Sequence, residues 1–344
     1  MFIFWVYYLK LNILEEKMKK IFRVAAALLL AVIVVSCAKD KESNEVLIFT
    51  SSEDFRIEHL QNRLNEQFPQ YNVVINYTTT GNLAAKLKAE GTATDCDIIG
   101  ELDSAYLEGI LDNLADLSAY DSSAFLDELV PAHKKYLPFI RSSGCIAINE
   151  QFLAARNIPV PTSYQDLIKP EYKGVLSMPN PKSSGTGYFF LKNLVNVWGE
   201  DAAFGYFDRF ADNVLQFTSS GSGPVNALIQ GEAGIGLGMT FQVVTAINER
   251  GVPLRIAYFE EGSPWTMYGM GIIKGKDTRQ AVREVFEFYV NTLTREDKEL
   301  FAPEQIFKVQ VNDIPNYPRN VKAADMRGIE SLSEKERLLE KWKY

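Results

Sequence analysis

The sequence predicts an α/β protein of two lobes, each a mostly parallel sheet with helices on both faces. Three observations carry this. Short apolar runs alternate with amphipathic stretches along most of the chain, which is the pattern of parallel strands joined by crossover helices. The alternation stops at a proline-rich crossing (Ile158-Pro159-Val160-Pro161) and starts afresh, so a second unit is set into the first. Loops rich in hydroxyls and glycine fall repeatedly at the carboxyl ends of the apolar runs, where open α/β sheets bind ligands.

Taken in order, Val46-Leu47-Ile48-Phe49 reads as a buried strand ending in Thr50-Ser51-Ser52. A helix follows with Ile57, Leu60, Leu64 and Phe68 on one face, stopped by Pro69. Residues 73–77 form the next strand, 78–82 (TTTGN) a turn, and 83–90 a short helix closed by Gly91. Cys96-Asp97-Ile98-Ile99 is a third strand leading into Gly100-Glu101-Leu102-Asp103. Residues 144–149 form a strand that leaves the first unit.

In the second unit, residues 174–178 are a strand, and Ser183-Ser184-Gly185-Thr186-Gly187 opens a helix carrying Tyr188, Leu191, Leu194, Val195 and Trp198 at helical spacing. Free amide groups at such a helix start, with hydroxyls beside them, suit an anion; an ordinary turn capped by Ser184 or Thr186 has the same appearance. A strand near 216–218 runs into Ser219-Ser220-Gly221-Ser222, and Pro224 sits in the first turn of a short helix. Ile235-Gly236-Leu237-Gly238-Met239 is a glycine-spaced strand, and Thr240 caps the next helix. Strands at 254–259 and 270–273 and a helix from Arg279 complete the alternation, followed by helical fragments ending in 333–342.

The expected domain plan is 46–143 with about 256–292 as lobe 1, and 146–253 with about 293–344 as lobe 2, with crossings near Cys145 and Leu254. The five loops at 50–52, 78–82, 183–188, 219–222 and 238–240 come from both lobes and outline a cleft between them. The expected ligand-binding residues are therefore Thr50, Ser51, Ser52, Thr80, Gly81, Glu101, Ser183, Ser184, Gly185, Thr186, Tyr188, Ser220, Gly221, Ser222, Thr240, Trp265 and Tyr268. Glu101, at a strand end, is placed for an ammonium or a sugar hydroxyl. Trp265 and Tyr268 either stack on a ligand or belong to the core. Glu53 and Asp54 read as solvent-facing acids at a helix start. His59 and His133 read as structural or solvent-facing.

Before the fold lies a different kind of segment. Lys19-Lys20, the apolar run 24–35 and Val34-Val35-Ser36-Cys37 match a signal peptide of the lipoprotein type, with the lipid on Cys37. Residues 1–36 are thus upstream segment and signal, with Met18 the better start, and 37–45 a flexible tether. The expected location is outside the cytoplasm, in the periplasm or on the cell surface, on a lipid tether. Only Cys96 and Cys145 remain after Cys37, each in an apolar context that favours a free buried thiol.

A net charge of −8 and the absence of a basic run after Cys37 speak against nucleic acid. Gly-x-Ser-x-Gly, His-Glu-x-x-His and Walker patterns are missing, and the two histidines stand apart, so an exported enzyme is poorly supported. No cofactor and no bound metal are expected.

The stretches "VLIFTSSEDFRIEHLQNRLNEQFP", "TTTGNLAAKLKAEG", "DCDIIGELD", "SMPNPKSSGTGYFFL", "TSSGSGPVNALIQGEAGIGLGM" and "EEGSPWTMYGMGIIKG" together resemble extracellular solute-binding proteins of ABC importers. The branch is the one that holds ferric-iron, phosphonate, sugar-phosphate and thiamine binders, and the resemblance covers about 45–295. It implies a type II periplasmic-binding-protein fold, a monomer that closes on a small solute and hands it to a membrane permease, and no catalysis. Ferric binders of this branch use adjacent tyrosines; here the Tyr-Tyr pair, Tyr7-Tyr8, lies upstream of the signal segment. The favoured solute is a small organic anion or zwitterion, a phosphonate or sugar phosphate. Ferric iron is the runner-up, with Tyr188 and Tyr268 as its donors, and a polyamine or thiamine comes third.

Overall fold

Alternating burial along Glu45–Thr50 (β1) seats Val46 and Ile48 in the core. The computed structural model describes residues 44–310 and 313–344; the expected signal segment, Cys37 and most of the tether lie outside them. After β1 come α1 (Asp54–Gln67), β2 (Asn72–Tyr77), α2 (Thr80–Glu90), β3 (Ile98–Asp103), α3 (Ser104–Glu108) and β4 (Leu137–Ile148). Next are α4 (Glu150–Ala154), β5 (Leu176–Pro179), α5 (Gly185–Trp198), α6 (Glu200–Ala211), β6 (Val214–Thr218), α7 (Gly223–Ile229) and β7 (Ile235–Met239). The remainder is α8 (Thr240–Arg250), β8 (Arg255–Ala257), β9 (Trp265–Ile272), α9 (Gln280–Phe288), a π-helical turn (Tyr289–Leu293), α10 (Thr294–Leu300) and α11 (Leu332–Lys341). Among the described residues no helix is long and apolar enough to cross a membrane.

The strands follow one path, β2-β1-β3-β9-β4-β7-β5-β6, with β8 beside β4. β1, β2 and β3 are mutually parallel, as are β5, β6 and β7. β9 runs antiparallel to β3 and β4, and β4 antiparallel to β7 and β8. The mostly parallel α/β architecture thus holds, with two antiparallel strands at its centre.

β4 serves both halves. Its first part, from Leu137 to Ser143, pairs with β9, and from Gly144 onward it pairs with β7. The sequence shows only the second part as a strand, because Arg141, Ser142 and Ser143 interrupt the apolar run; the pairing continues through them. Two other expected loops are regular structure. Glu101 and Asp103 lie within β3, whose ladder with β9 reaches Asp103, and Thr80 already belongs to α2.

Apolar packing divides along β4. Ile48, Leu64, Ile98, Phe139, Met270 and Phe286 sit in one cluster, and Ile146, Tyr164, Met178, Phe190, Leu237 and Trp342 in another. Leu293, Ala302, Ile306 and Phe307 pack in the first cluster, and only the stretch from Ala324 onward joins the second. β8 and Phe259 belong with the second, because β8 pairs with the far end of β4. Both Cys96 and Cys145 are buried free thiols.

Candidate functional site

β1 ends at Thr50, and its hydroxyls turn inward. Thr50 Oγ1 lies 2.8 Å from Ser52 Oγ and accepts the Ser52 amide at 3.1 Å. Ser52 Oγ donates to Glu101 Oε2 at 2.7 Å, and the Ser51 amide donates to the Glu101 carbonyl at 3.2 Å. The loop is therefore tied to the end of β3 across the ladder.

Glu53, expected at the surface, is buried. The reason is Arg56, wholly enclosed one turn later. Its Nη1 donates to Glu53 at 3.0 Å and to Glu101 at 2.8 Å, and its Nε to Asp297 at 2.7 Å. Lys298 Nζ holds the other Asp297 oxygen at 2.6 Å. The rings of Phe139 and Phe241 stand 5.3 Å from the guanidinium carbon and keep water away. Three carboxylates thus share two cations, all of them buried. Burial pushes the Glu53 carboxyl up to about 7, the Glu101 charge adds to the rise, and Arg56 opposes it. Burial would raise Asp297 too, but Arg56 and Lys298 together hold it below the usual range.

The second half brings up the start of α5. Ser184 is its N-cap, extended at φ −126°, and its hydroxyl accepts the Gly187 amide at 3.4 Å. The amides of Gly185 and Thr186 have no carbonyl one turn back to bond. Close approach explains both nearby glycines. A Cβ at Gly185 would collide with the Tyr268 hydroxyl, and one at Gly221 would stand 2.5 Å from Thr186 Oγ1 and 3.2 Å from Ser184 Oγ. The Tyr268 hydroxyl lies against Gly185 and near Thr186, and burial holds its phenol far above its ordinary pKa. Ser220 and Ser222 hydroxyls meet at 3.1 Å, and the Tyr77 phenol lies near Ser220.

The two halves touch here. The Gly81 amide donates to the Ser183 carbonyl at 3.1 Å, and Asp103 Oδ2 faces Gly185 while its Oδ1 pairs with Lys335 of α11 at 2.8 Å. The ends of β1 and β3, Tyr77, Gly81 and Tyr268 on one side thus meet residues 183–186 and 220–221 on the other, in a closed arrangement.

Other expected residues lie elsewhere. Trp265 is on the opposite face of β9 from Thr266 and Tyr268; its Nε1 donates to the Ala324 carbonyl at 3.2 Å, and Arg141 stacks on its ring. Thr240 does not cap a helix with its side chain; its Oγ1 meets Ser143 at 3.2 Å and Tyr258 at 3.3 Å. Tyr188 turns its ring toward the Lys335 ammonium, 4.6 Å away. Ser222 offers its carbonyl to Gln242 at 3.1 Å. His59 pairs with Glu296 at 3.0 Å and His133 with Glu108 at 3.2 Å, both away from this region.

Arg56, Lys335 and Gln242 escaped the sequence reading. The first two had a signal: Arg56 falls at the spacing of Leu60 and Leu64, and Lys335 at that of Leu338 and Trp342, so each lies on a buried stripe and needs a partner. Gln242 had none; its Oε1 is buried with no protein partner among the described residues.

Comparison with known proteins places this geometry. A family model described as bacterial extracellular solute-binding protein matches residues 75–303. An uncharacterized protein of Haemophilus influenzae is 29% identical over 267 residues, 73% of this chain and 74% of that protein. The phosphoglycerate transport regulatory protein PgtC of Salmonella typhimurium is 28% identical over 127 residues, 34% of this chain and 32% of its own length. Among solved structures, the periplasmic binding protein AfuA from Actinobacillus pleuropneumoniae, with fructose-6-phosphate bound, superimposes with a TM-score of 0.77 at 21% identity, over 87% of this chain and 97% of that one.

Proposed function

The chain belongs to the bacterial extracellular solute-binding proteins, and from that premise we propose that it is the lipid-anchored capture component of an ABC import system. It takes a small anionic or zwitterionic organic solute, a phosphonate or a sugar phosphate, between its two lobes and delivers it to a permease. Cys37 carries the anchor, and no reaction is catalysed.

One observation carries the choice of solute. The hydroxyls of Ser184 and Thr186 and the amides opening α5 stand beside Gly221 and opposite Tyr268. That set grips phosphoryl or carboxylate oxygens without a metal, each charge-assisted bond contributing about 1.5–3 kcal/mol. Glu53, held near neutrality by burial, ionises when an ammonium or another cationic group of the solute arrives, which favours zwitterions. Two similar proteins carry names that mention phosphorylated organic compounds, phosphoglycerate and fructose-6-phosphate. The ferric alternative draws less support. Tyr188 faces a lysine, and burial holds the Tyr268 phenol far above its ordinary pKa, whereas a ferric ion needs phenolates.

In the proposed mechanism the lobes rotate about β4 and β9 and shut on the solute. Calorimetry against 2-aminoethylphosphonate, fructose-6-phosphate, spermidine and ferric citrate tests the reading. A phosphorylated solute should bind, and the Ser184→Ala, Thr186→Ala double variant should bind it at least tenfold more weakly, about 1.4 kcal/mol. Binding of ferric citrate or spermidine alone, or an unchanged affinity in the double variant, would overturn it. Intact-mass analysis of the membrane fraction checks for lipid on Cys37.

A further inference from the structure

Behind the two strands that join the halves, on the face turned away from Tyr268, lies a cavity of about 170 Å³. That is well above the ~10–15 Å³ that holds one water. Arg141, Ser143, Tyr258, Trp265, Glu304 and Tyr317 line it. Side-chain alternation puts Arg141 and Ser143 on this face of β4 and Trp265 on this face of β9, while Thr266 and Tyr268 lie on the opposite face, toward Asp103 and Gly185.

Two charged groups here are incompletely matched. Arg141 is half-buried with its guanidinium 4.2 Å from the Trp265 ring centre, and among the described residues no carboxylate pairs with it. Burial accordingly lowers its pKa. A planar fork of donors is therefore held over an aromatic ring, with no hydrogen bond to the described residues. Glu304 has one oxygen committed, accepting from Ser143 at 2.5 Å and from Tyr317. Its other oxygen, Oε2, is buried and has no partner among the described residues. Leaving the buried Glu304 oxygen unmet is costly, and one occupant bearing both charges satisfies it and the Arg141 donors together.

We propose that this cavity is a second ligand site, for a small zwitterion of the amino-acid type, its carboxylate held by Arg141 and its ammonium by Glu304. Ser143 and Tyr258 border the occupant, and the Trp265 ring carries the guanidinium. The site is separate from the one proposed at Ser184 and Thr186 and does not depend on which solute is taken there.

Glycine and L-alanine are the probes, followed by saturation-transfer NMR and calorimetry on the full chain. The wild type and the Ser184→Ala, Thr186→Ala variant should bind them saturably and alike. Arg141→Leu should weaken binding at least tenfold, and Glu304→Gln should do the same. Should these variants fold poorly, Trp265 gives an independent reading: L-alanine should change the emission of the wild type but not of Trp265→Phe. No saturable binding by the wild type overturns the proposal. So does a loss in the Ser184, Thr186 variant equal to that in Arg141→Leu, because it would move the amino acid to the site proposed there.

Discussion

Replacing Arg56 by methionine tests whether the enclosed charge cluster holds the front of the first half together. Methionine keeps much of the side-chain length and the contacts to Phe139 and Phe241, so the cation is the main loss. Asp297 keeps Lys298 at 2.6 Å, and Glu53 already takes a proton near neutrality. Glu101 is then the chief orphan, left with the Ser52 hydroxyl at 2.7 Å. Removing one partner of a buried ion pair costs about 3–5 kcal/mol. At ~2–4 °C per kcal/mol for a protein of this size, the midpoint should fall by roughly 6–20 °C near pH 7.5. The deficit should shrink at pH 5, because Arg56 opposes the rise of the Glu53 carboxyl and its loss tightens proton binding there. Thermal unfolding by circular dichroism at the two pH values measures both effects. A midpoint within 2 °C of wild type by this ~6–20 °C yardstick, or a deficit that grows on acidification, would refute the account.

Three further outcomes follow from the same contacts. Because burial raises Glu53 from 4.5 to about 7, its contribution to stability is fully present below the lower value and is lost as pH rises through the upper one; Glu53→Gln should flatten that decline, and an unchanged pH profile counts against it. A Cβ at Gly81 would stand 2.5 Å from the Lys182 carbonyl oxygen, so Gly81→Ala should part the two halves and cost roughly 1 kcal/mol, about fivefold in solute affinity; an unaltered scattering radius and affinity would contradict this. Lys335→Met should destabilise by about 3–5 kcal/mol through the stranded Asp103; adding Asp103→Asn should recover part of it, and a double variant no better than the single one would show that the pair is not the cause.

Much of this arrangement was legible because it rests on local periodicity. Ile48 and Ile98 announce buried strands, and Ser184 announces a helix start, from neighbours a few residues away. The loops at 50–52, 183–186 and 220–221 are legible as turns by the same logic, since hydroxyls and glycines follow an apolar run there. Pairings between distant segments were not legible. Arg56 meets Asp297 across 241 residues, and nothing near either position names the other. The first part of β4 was hidden for a related reason: Arg141 and Ser143 look like loop residues until the cavity they face is seen. Trp265 and Tyr268 were grouped because they are close in sequence, yet an odd spacing on a strand sends them to opposite faces.

Trp342 sits 1% exposed in the second apolar cluster beside Phe207 and Phe217. That cluster also needs Ile146 and Met178, so it spans nearly two hundred positions, about the size of a whole domain. Its packing therefore closes only when segments far apart in the chain come together, which makes the second half slower to fold than one built from local contacts.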